Sequence, residues 1–249
     1  MSTQTELDQA AAFKRLQQIL GGLYDEITRH LTVFPKTEQP FQTFASSDGG
    51  VQGSLLTFQG EQIDKLVLSH LNAPRMGFGT LRLTVWLRPH LQVPHLAFEF
   101  GTIPQPFFYM DYLPRVDLWT DLDYADQYYE ALNATYLALR ANPDLTLFVS
   151  KGLPIRQIQS PAHLCFTAPG AVETFALIET TAQDVCSRWL NWVAQASPVP
   201  PERQVALAER DLRMRQVSAE RDPGNAMAAK IFGAEFASQL VQALWSREV

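Results

Sequence analysis

Four polar residues stand where the surrounding pattern asks for apolar ones. His70 closes the run LVLSHL, Arg82 interrupts TLRLTVWLR, Glu99 lies inside HLAFEF, and Asp222 directly precedes Pro223-Gly224. A Glu on a sheet face covered by helices loses solvation as an anion. That favours the neutral acid and moves its pKa toward the range where it donates a proton near pH 7. The planar fork of Arg82 suits a ligand carboxylate. An equally simple reading makes Arg82 and Glu99 a structural ion pair, or leaves the polar side of each strand in solvent. His70 alone reads as readily as a structural histidine, and His30, His90, His95 and His163 form no grouping. Asp222 occupies a loop position of the kind from which side chains reach into sites. The expectation is that His70, Arg82 and Glu99 project from one sheet face toward the C-terminal helices.

The segment FGTIPQPFFYMDYLPR supplies Phe107, Phe108, Tyr109, Met110 and Tyr112, enough aromatic area to line a pocket for a flat conjugated ligand. Such runs also fill cores. Asp111 within it either faces solvent or anchors the loop at Pro114-Arg115. The run ERDLRMRQVSAERDPGN interleaves basic and acidic residues, the pattern of a solvated helix face. Cys165 and Cys186 lie in no CxxC and have no histidines at ligand spacing, so both read as reduced core thiols.

These residues must be positioned by a regular scaffold, and its grammar is visible. Apolar residues at spacings of three and four over 5–31 predict an N-terminal helix, with Gly21-Gly22 a potential break. Five short runs rich in Val, Leu, Thr and Phe follow: Gln52–Phe58, Gln62–Leu71, Thr80–Arg88, His95–Gly101 and Pro106–Tyr112. Their links are too short for crossover helices, which predicts an antiparallel meander. Helical periodicity returns over 120–141, 172–195, 202–219 and 225–245, whereas 145–168 is ambiguous. Helices before and after one sheet predict an α/β fold, a three-layer α/β/α sandwich with a central, mostly antiparallel sheet. One domain over 1–249 is expected, with 1–47 as an N-terminal helical segment and 48–245 as sheet and flanking helices.

Composition narrows the function classes. A chain of 249 residues, 46% hydrophobic, can bury one large core. A net charge of −6 argues against broad nucleic-acid binding, although it leaves room for an acidic partner at a local basic patch. No apolar run approaches the length of a membrane span, and MSTQTELDQAAAFKRL carries no leader pattern, so a cytoplasmic protein is expected.

The ordered set WLRPHLQVPHLAFEF, FFYMDYLPR and DYADQYYE resembles the central part of red chlorophyll catabolite reductases, a branch of the ferredoxin-dependent bilin reductases. The tail ERDLRMRQVSAERDPGNAMAAKIFGAEFASQLVQAL is similar to that family's C-terminal segment. The resemblance implies an open-chain tetrapyrrole lying between the sheet and the C-terminal helices. It further implies reduction through substrate radicals, with single electrons from ferredoxin, protons from the protein, and no bound metal or flavin. Glu99 and Asp222 match the family's acidic positions and are the implied catalytic pair. His70, Arg82, Trp86, Phe108 and Met110 are the expected substrate contacts. His70 falls where relatives carry Glu, and Arg82 where bilin-reducing members carry His. Both departures argue against ordinary biliverdin reduction and leave the product open. A non-catalytic carrier of bilins or chlorophyll catabolites is the alternative. Arg75, Arg88, Arg115, Lys151 and Arg156 are candidate ferredoxin contacts, and the oligomeric state stays open, a dimer included.

Overall fold

The computed structural model describes residues 7–103 and 105–245, so positions 5–6 of the expected first helix lie outside the described residues. Helix α1 (Gln9–His30) starts where the Asp8 carboxylate accepts the Ala11 N–H at 2.8 Å, which satisfies one of the free donors of the first turn. It runs through Gly21-Gly22 without a break. Leu16, Leu20, Leu23 and Ile27, all buried on one stripe, supply packing that outweighs the glycine penalty. The strands are β1 (Val33–Pro35), β2 (Phe44–Ala45), β3 (Gln52–Gly60), β4 (Ile63–Ala73), β5 (Phe78–Leu87), β6 (His95–Thr102) and β7 (Pro106–Leu113). Helix α2 (Leu122–Arg140) follows. The ambiguous stretch resolves into β8 (Thr146–Leu147), a short helix α3 (Leu153–Ile158) and β9 (Leu164–Thr167). Helices α4 (Val172–Gln195), α5 (Pro201–Arg221), α6 (Gly224–Phe232) and α7 (Ala234–Trp245) complete the chain. The expected final helix is thus two helices. Gly233 separates them at φ 85° and ψ 155°, a backbone region essentially reserved for glycine.

The nine strands form one sheet in the order β1-β3-β4-β5-β6-β7-β9-β8, with β2 beside β3, and every pairing among them is antiparallel. Helices α1, α2 and α4 cover one face. There Leu81, Leu83, Val85, Phe98, Phe100, Phe108 and Met110 pack against Leu16, Ile178 and Trp189 in a continuous hydrocarbon core. The C-terminal helices cover the other face through two smaller clusters: Phe41, Leu55, Val67 and Leu240 in one, Trp86, Ala97, Leu113 and Trp245 in the other. The α/β/α sandwich expected from the sequence is therefore present. No helix among the described residues is long and apolar enough to cross a membrane.

Antiparallel register assigns the polar residues to these faces. Arg82 pairs with Glu99, Glu99 with Tyr109, and Tyr109 with Cys165, so these side chains form one row on the face of the C-terminal helices. His70 pairs instead with Leu81, and Ser69 with Arg82. The turn at Pro74–Met76, closed by Gly77 at φ 63°, sets this register. Residues facing each other across β4 and β5 therefore differ in parity, and His70 belongs to the opposite face from Arg82 and Glu99. The shared-face expectation fails for His70 for that reason. Phe108 and Met110 fail likewise: they pair with Phe100 and Phe98 and lie in the hydrocarbon core at 0% exposure.

Candidate functional site

Helix α5 is held on the sheet by ions more than by hydrocarbon. Leu207, Asp211, Arg215 and Ser218 recur at spacings of four, four and three and are its buried residues. Asp211 Oδ2 pairs with Arg115 Nη2 at 2.5 Å, and its Oδ1 lies 3.0 Å from His95 Nε2. Because the Leu87 N–H donates to His95 Nδ1 at 3.0 Å, the ring proton sits on Nε2, the nitrogen beside the Asp211 carboxylate, although the approach lacks hydrogen-bond geometry. Burial pulls His95 down to about 4, only partly countered by Asp211. Burial would raise Asp211, but His95 and Arg115 outweigh it and hold the carboxyl down to about 2. Arg215 reaches Asp64 on β4 at 2.9 Å and lies over the Trp86 ring. The charged run is thus not a solvated face on this side. Arg115, 1% exposed and engaged with Asp211, is removed from the candidate docking residues.

Helix α7 lays Trp245 against Trp86, ring centroids 6.3 Å apart, and the Arg82 guanidinium stacks over Trp245 at 5.2 Å. Trp86 is on the expected face but 1% exposed beneath this stack, so it supports the site wall without lining the hollows. Between the sheet and α3, α5, α6 and α7 lie two hollows of about 310 Å³ each, which share Arg82, Glu99 and Asp222 at their junction. The first is bounded further by Tyr109, Phe107, Phe148 and Cys165. The second is bounded by Ser69, Thr80, Met227 and Ile231. His70 also touches the second hollow, although its register belongs to the other face. Register is the firmer guide to its side chain, since Phe98, a core residue, touches the first hollow in the same way.

At the junction Arg82 Nη2 donates to Glu99 Oε2 at 2.9 Å, with 20% and 30% of the two side chains exposed. The structural ion pair considered from the sequence is therefore present, on the covered face. Burial opposes the charge of Arg82, but the Glu99 and Asp222 carboxylates outweigh it and raise its pKa. Arg82 Nη1 is buried with no hydrogen-bond partner, a donor left for something that enters the site. Asp222 ends α5, and one of its carboxylate oxygens accepts the Gly224 N–H at 2.8 Å, fixing the turn into α6. The structure thus brings Arg82, Glu99 and Asp222 together. Sequence reasoning missed Asp211, Arg215, His95 and Trp245. Only the inward spacing of 207, 211, 215 and 218 was there to signal the first two.

A search by sequence returns no match among curated proteins. A similar solved structure is phytochromobilin synthase from tomato in complex with biliverdin, with a TM-score of 0.79 at 18% identity, covering 90% of this chain and 80% of that one. At this identity the likeness speaks for the fold alone. The family model for red chlorophyll catabolite reductase matches residues 17–246, a span that holds the whole sheet, the Arg82–Glu99 pair, the Asp222 turn and the C-terminal helices. On that match the chain belongs to the red chlorophyll catabolite reductase family.

Proposed function

We propose that this protein reduces an open-chain tetrapyrrole, of the red chlorophyll catabolite type, with electrons from ferredoxin and protons from the protein, Glu99 and/or Asp222 among the donors. The observation that carries this reading is the junction of the two hollows. Two carboxyl groups flank one arginine there, and its Nη1 donor is buried without a partner. A linear tetrapyrrole lying across both hollows would bring a ring carbonyl or a propionate to Arg82 and a double bond to the carboxyls. Saturating that bond takes two electrons, one from each of two reduced ferredoxins, and two protons. The apolar walls, Phe107, Phe148, Met227 and Ile231 among them, suit the conjugated rings and keep water from the radical that forms between electron transfers.

Red chlorophyll catabolite and biliverdin, the latter bound by the tomato enzyme, are the substrates to compare. Anaerobic incubation with reduced ferredoxin should consume the chlorophyll catabolite and give a product two hydrogens heavier by mass spectrometry. A second reading, a carrier without chemistry, is favoured by the ion pair itself, because Glu99 held against Arg82 serves as a counter-charge. A carrier would show only a spectral shift on binding. An acidic ferredoxin would dock through the exposed Arg75, Lys151 and Arg156, whereas half-buried Arg88 lies at the opposite end of β5 from Arg75. Lys151 directly follows Ser150, which borders the first hollow.

A further inference from the structure

Behind the wall of the first hollow lies a polar group that the chemistry above does not use. Tyr109, on that wall, donates its hydroxyl to Asp111 Oδ2 at 2.8 Å. Asp111 Oδ1 accepts the Ser160 hydroxyl at 2.6 Å, and the Ser160 N–H holds Oδ2 at 2.9 Å. Asp111 is 0% exposed and touches none of the hollows. Ser160 borders a third hollow of about 610 Å³, lined also by His163, Arg156 and Trp119, the last 91% exposed. A hydroxyl, a carboxyl and a second hydroxyl are therefore hydrogen-bonded in series from the wall of the ligand site to Ser160, a residue 1% exposed that borders an outward-facing hollow. If support of the wall were the only need, two apolar side chains would meet it without burying a carboxyl.

We propose that Ser160, Asp111 and Tyr109 are a proton relay that delivers one of the two protons of reduction to the tetrapyrrole, with Tyr109 as the terminal donor. This rests on the tetrapyrrole-reduction reading above. With Asp111 protonated on Oδ2 the Tyr109–Asp111 hydrogen bond reverses, so that Asp111 donates to the Tyr109 oxygen and the Tyr109 O–H is free to turn to the substrate. That O–H bond breaks as its proton passes to the substrate after an electron has arrived. The Asp111 Oδ2–H proton refills Tyr109. Asp111 then takes a proton at Oδ1 from the Ser160 hydroxyl, which recovers one from water in the third hollow, and rotation of the carboxyl resets the chain. Electrons come only from the two reduced ferredoxins, and the relay moves protons alone.

The electrostatics fit this order. Burial raises Tyr109 well above the ordinary tyrosine range, and the adjacent Asp111 raises it further, so Tyr109 gives up a proton only when Asp111 can replace it. Burial pushes Asp111 up to about 6, against the downward pull of Ser160, His163 and Tyr109. The titratable groups facing Asp111 are Tyr109 on β7, His163 before β9, Cys165 on β9 and Tyr129 on α2, with Glu99 acting in turn on Tyr109 and Cys165. As pH rises through about 6 Asp111 loses its proton, so relay-limited turnover falls about tenfold per pH unit above that point.

The test is anaerobic turnover from about pH 5 to about pH 8.5, with reduced ferredoxin and whichever of red chlorophyll catabolite and biliverdin the wild type reduces. Tyr109→Phe keeps the ring, and Ser160→Ala keeps the N–H bond to Asp111, so both should fold. Tyr109→Phe should lower kcat by about 100-fold and Ser160→Ala by about tenfold, both losing the decline above pH 6, with biliverdin affinity within about tenfold of wild type. An infrared band of a protonated carboxyl, titrating near pH 6 in the wild type and absent in Asp111→Asn, should report the same group without turnover. Wild-type pH profiles in both variants, or a loss of affinity equal to the loss of rate, would overturn the relay alone. A wild type that binds but never reduces either pigment would overturn the tetrapyrrole-reduction reading and the relay with it.

Discussion

The two faces of the sheet are made by the same strands and hold their helices by different physics. Toward α1, α2 and α4 the contact is almost all hydrocarbon, with Leu83, Val85, Phe98, Phe100, Phe108 and Met110 at 0% exposure. Toward the C-terminal helices the hydrocarbon splits into two small clusters, and α5 is tied down by Asp211, Arg115, His95 and the Arg215–Asp64 pair. Close packing is the stable end state of apolar surfaces, so the first face has no room for a ligand. Ionic anchors fix a helix at a few points and leave space between them, which is where the two hollows lie. One face serves stability, and the other trades some of it for a cleft.

The largest expected effects separate these physics. Trp189→Ala should cost about 3–5 kcal/mol by leaving a cavity in the hydrocarbon face. Asp211→Ala should cost a similar ~3–5 kcal/mol by stranding buried Arg115 and His95. Denaturant titration reads both. Only Asp211→Ala should also weaken biliverdin binding in what remains folded, and equal affinity loss in the two would erase the distinction between the faces.

Next in size are the site carboxyls. Glu99→Gln and Asp222→Asn should each lower turnover by ~10²–10⁴ while leaving affinity within about tenfold, since the amide keeps shape but carries no transferable proton. Asp222 also holds the Gly224 N–H, so of the two it is the one whose loss also loosens the α5–α6 turn. Steady-state rates beside an absorbance titration decide this, and a wild-type rate in both amides would reject them as donors.

Acid should act on the ionic face. His95 is held neutral, its pKa lowered from 6.5 to about 4 by burial, so the stability it contributes is present above pH 6.5 and is lost as pH falls toward 4. Asp211, lowered to about 2, adds a loss below its unfolded value near 3.8. Asp111 has the opposite sign: raised to about 6, it favours the folded state as pH falls through 6 toward 3.8. Between pH 6.5 and 4 the His95 and Asp111 contributions, up to about 3 kcal/mol each, largely offset, so the His95 loss of up to about 3 kcal/mol should emerge in Asp111→Asn, where His95 acts alone. Adding His95→Gln to that variant should remove most of the loss. A loss just as steep in the double variant would place the acid sensitivity elsewhere.

The smallest expected effect concerns the partner. If Arg75, Lys151 and Arg156 guide an acidic ferredoxin, reduction should slow several-fold as ionic strength rises from about 0.05 to about 0.5 M, over which the screening length falls from roughly 14 to 4 Å. A rate indifferent to salt would mean the ionic character of this side stops at α5.

Much of the scaffold was legible because its signals are local. Alternation within TLRLTVWLR and HLAFEF, the Gly and Pro between runs, and the three-and-four spacing of α1, α2 and α4 each depend on a few neighbours in sequence. So did the misplaced polarity of Arg82 and Glu99, which the fold places in one ion pair. What the tertiary structure decided was relative. A strand fixes which of its residues alternate, whereas the turn to the next strand fixes which face they share. One residue of register sends His70 to the α1 side and gives Tyr109, rather than Phe108 or Met110, to the site. The partners of Asp211 and Asp111 were hidden for a related reason. A buried charge is recognised by what it meets, and Arg115, His95 and Ser160 come from segments distant in sequence that only folding brings within hydrogen-bond reach.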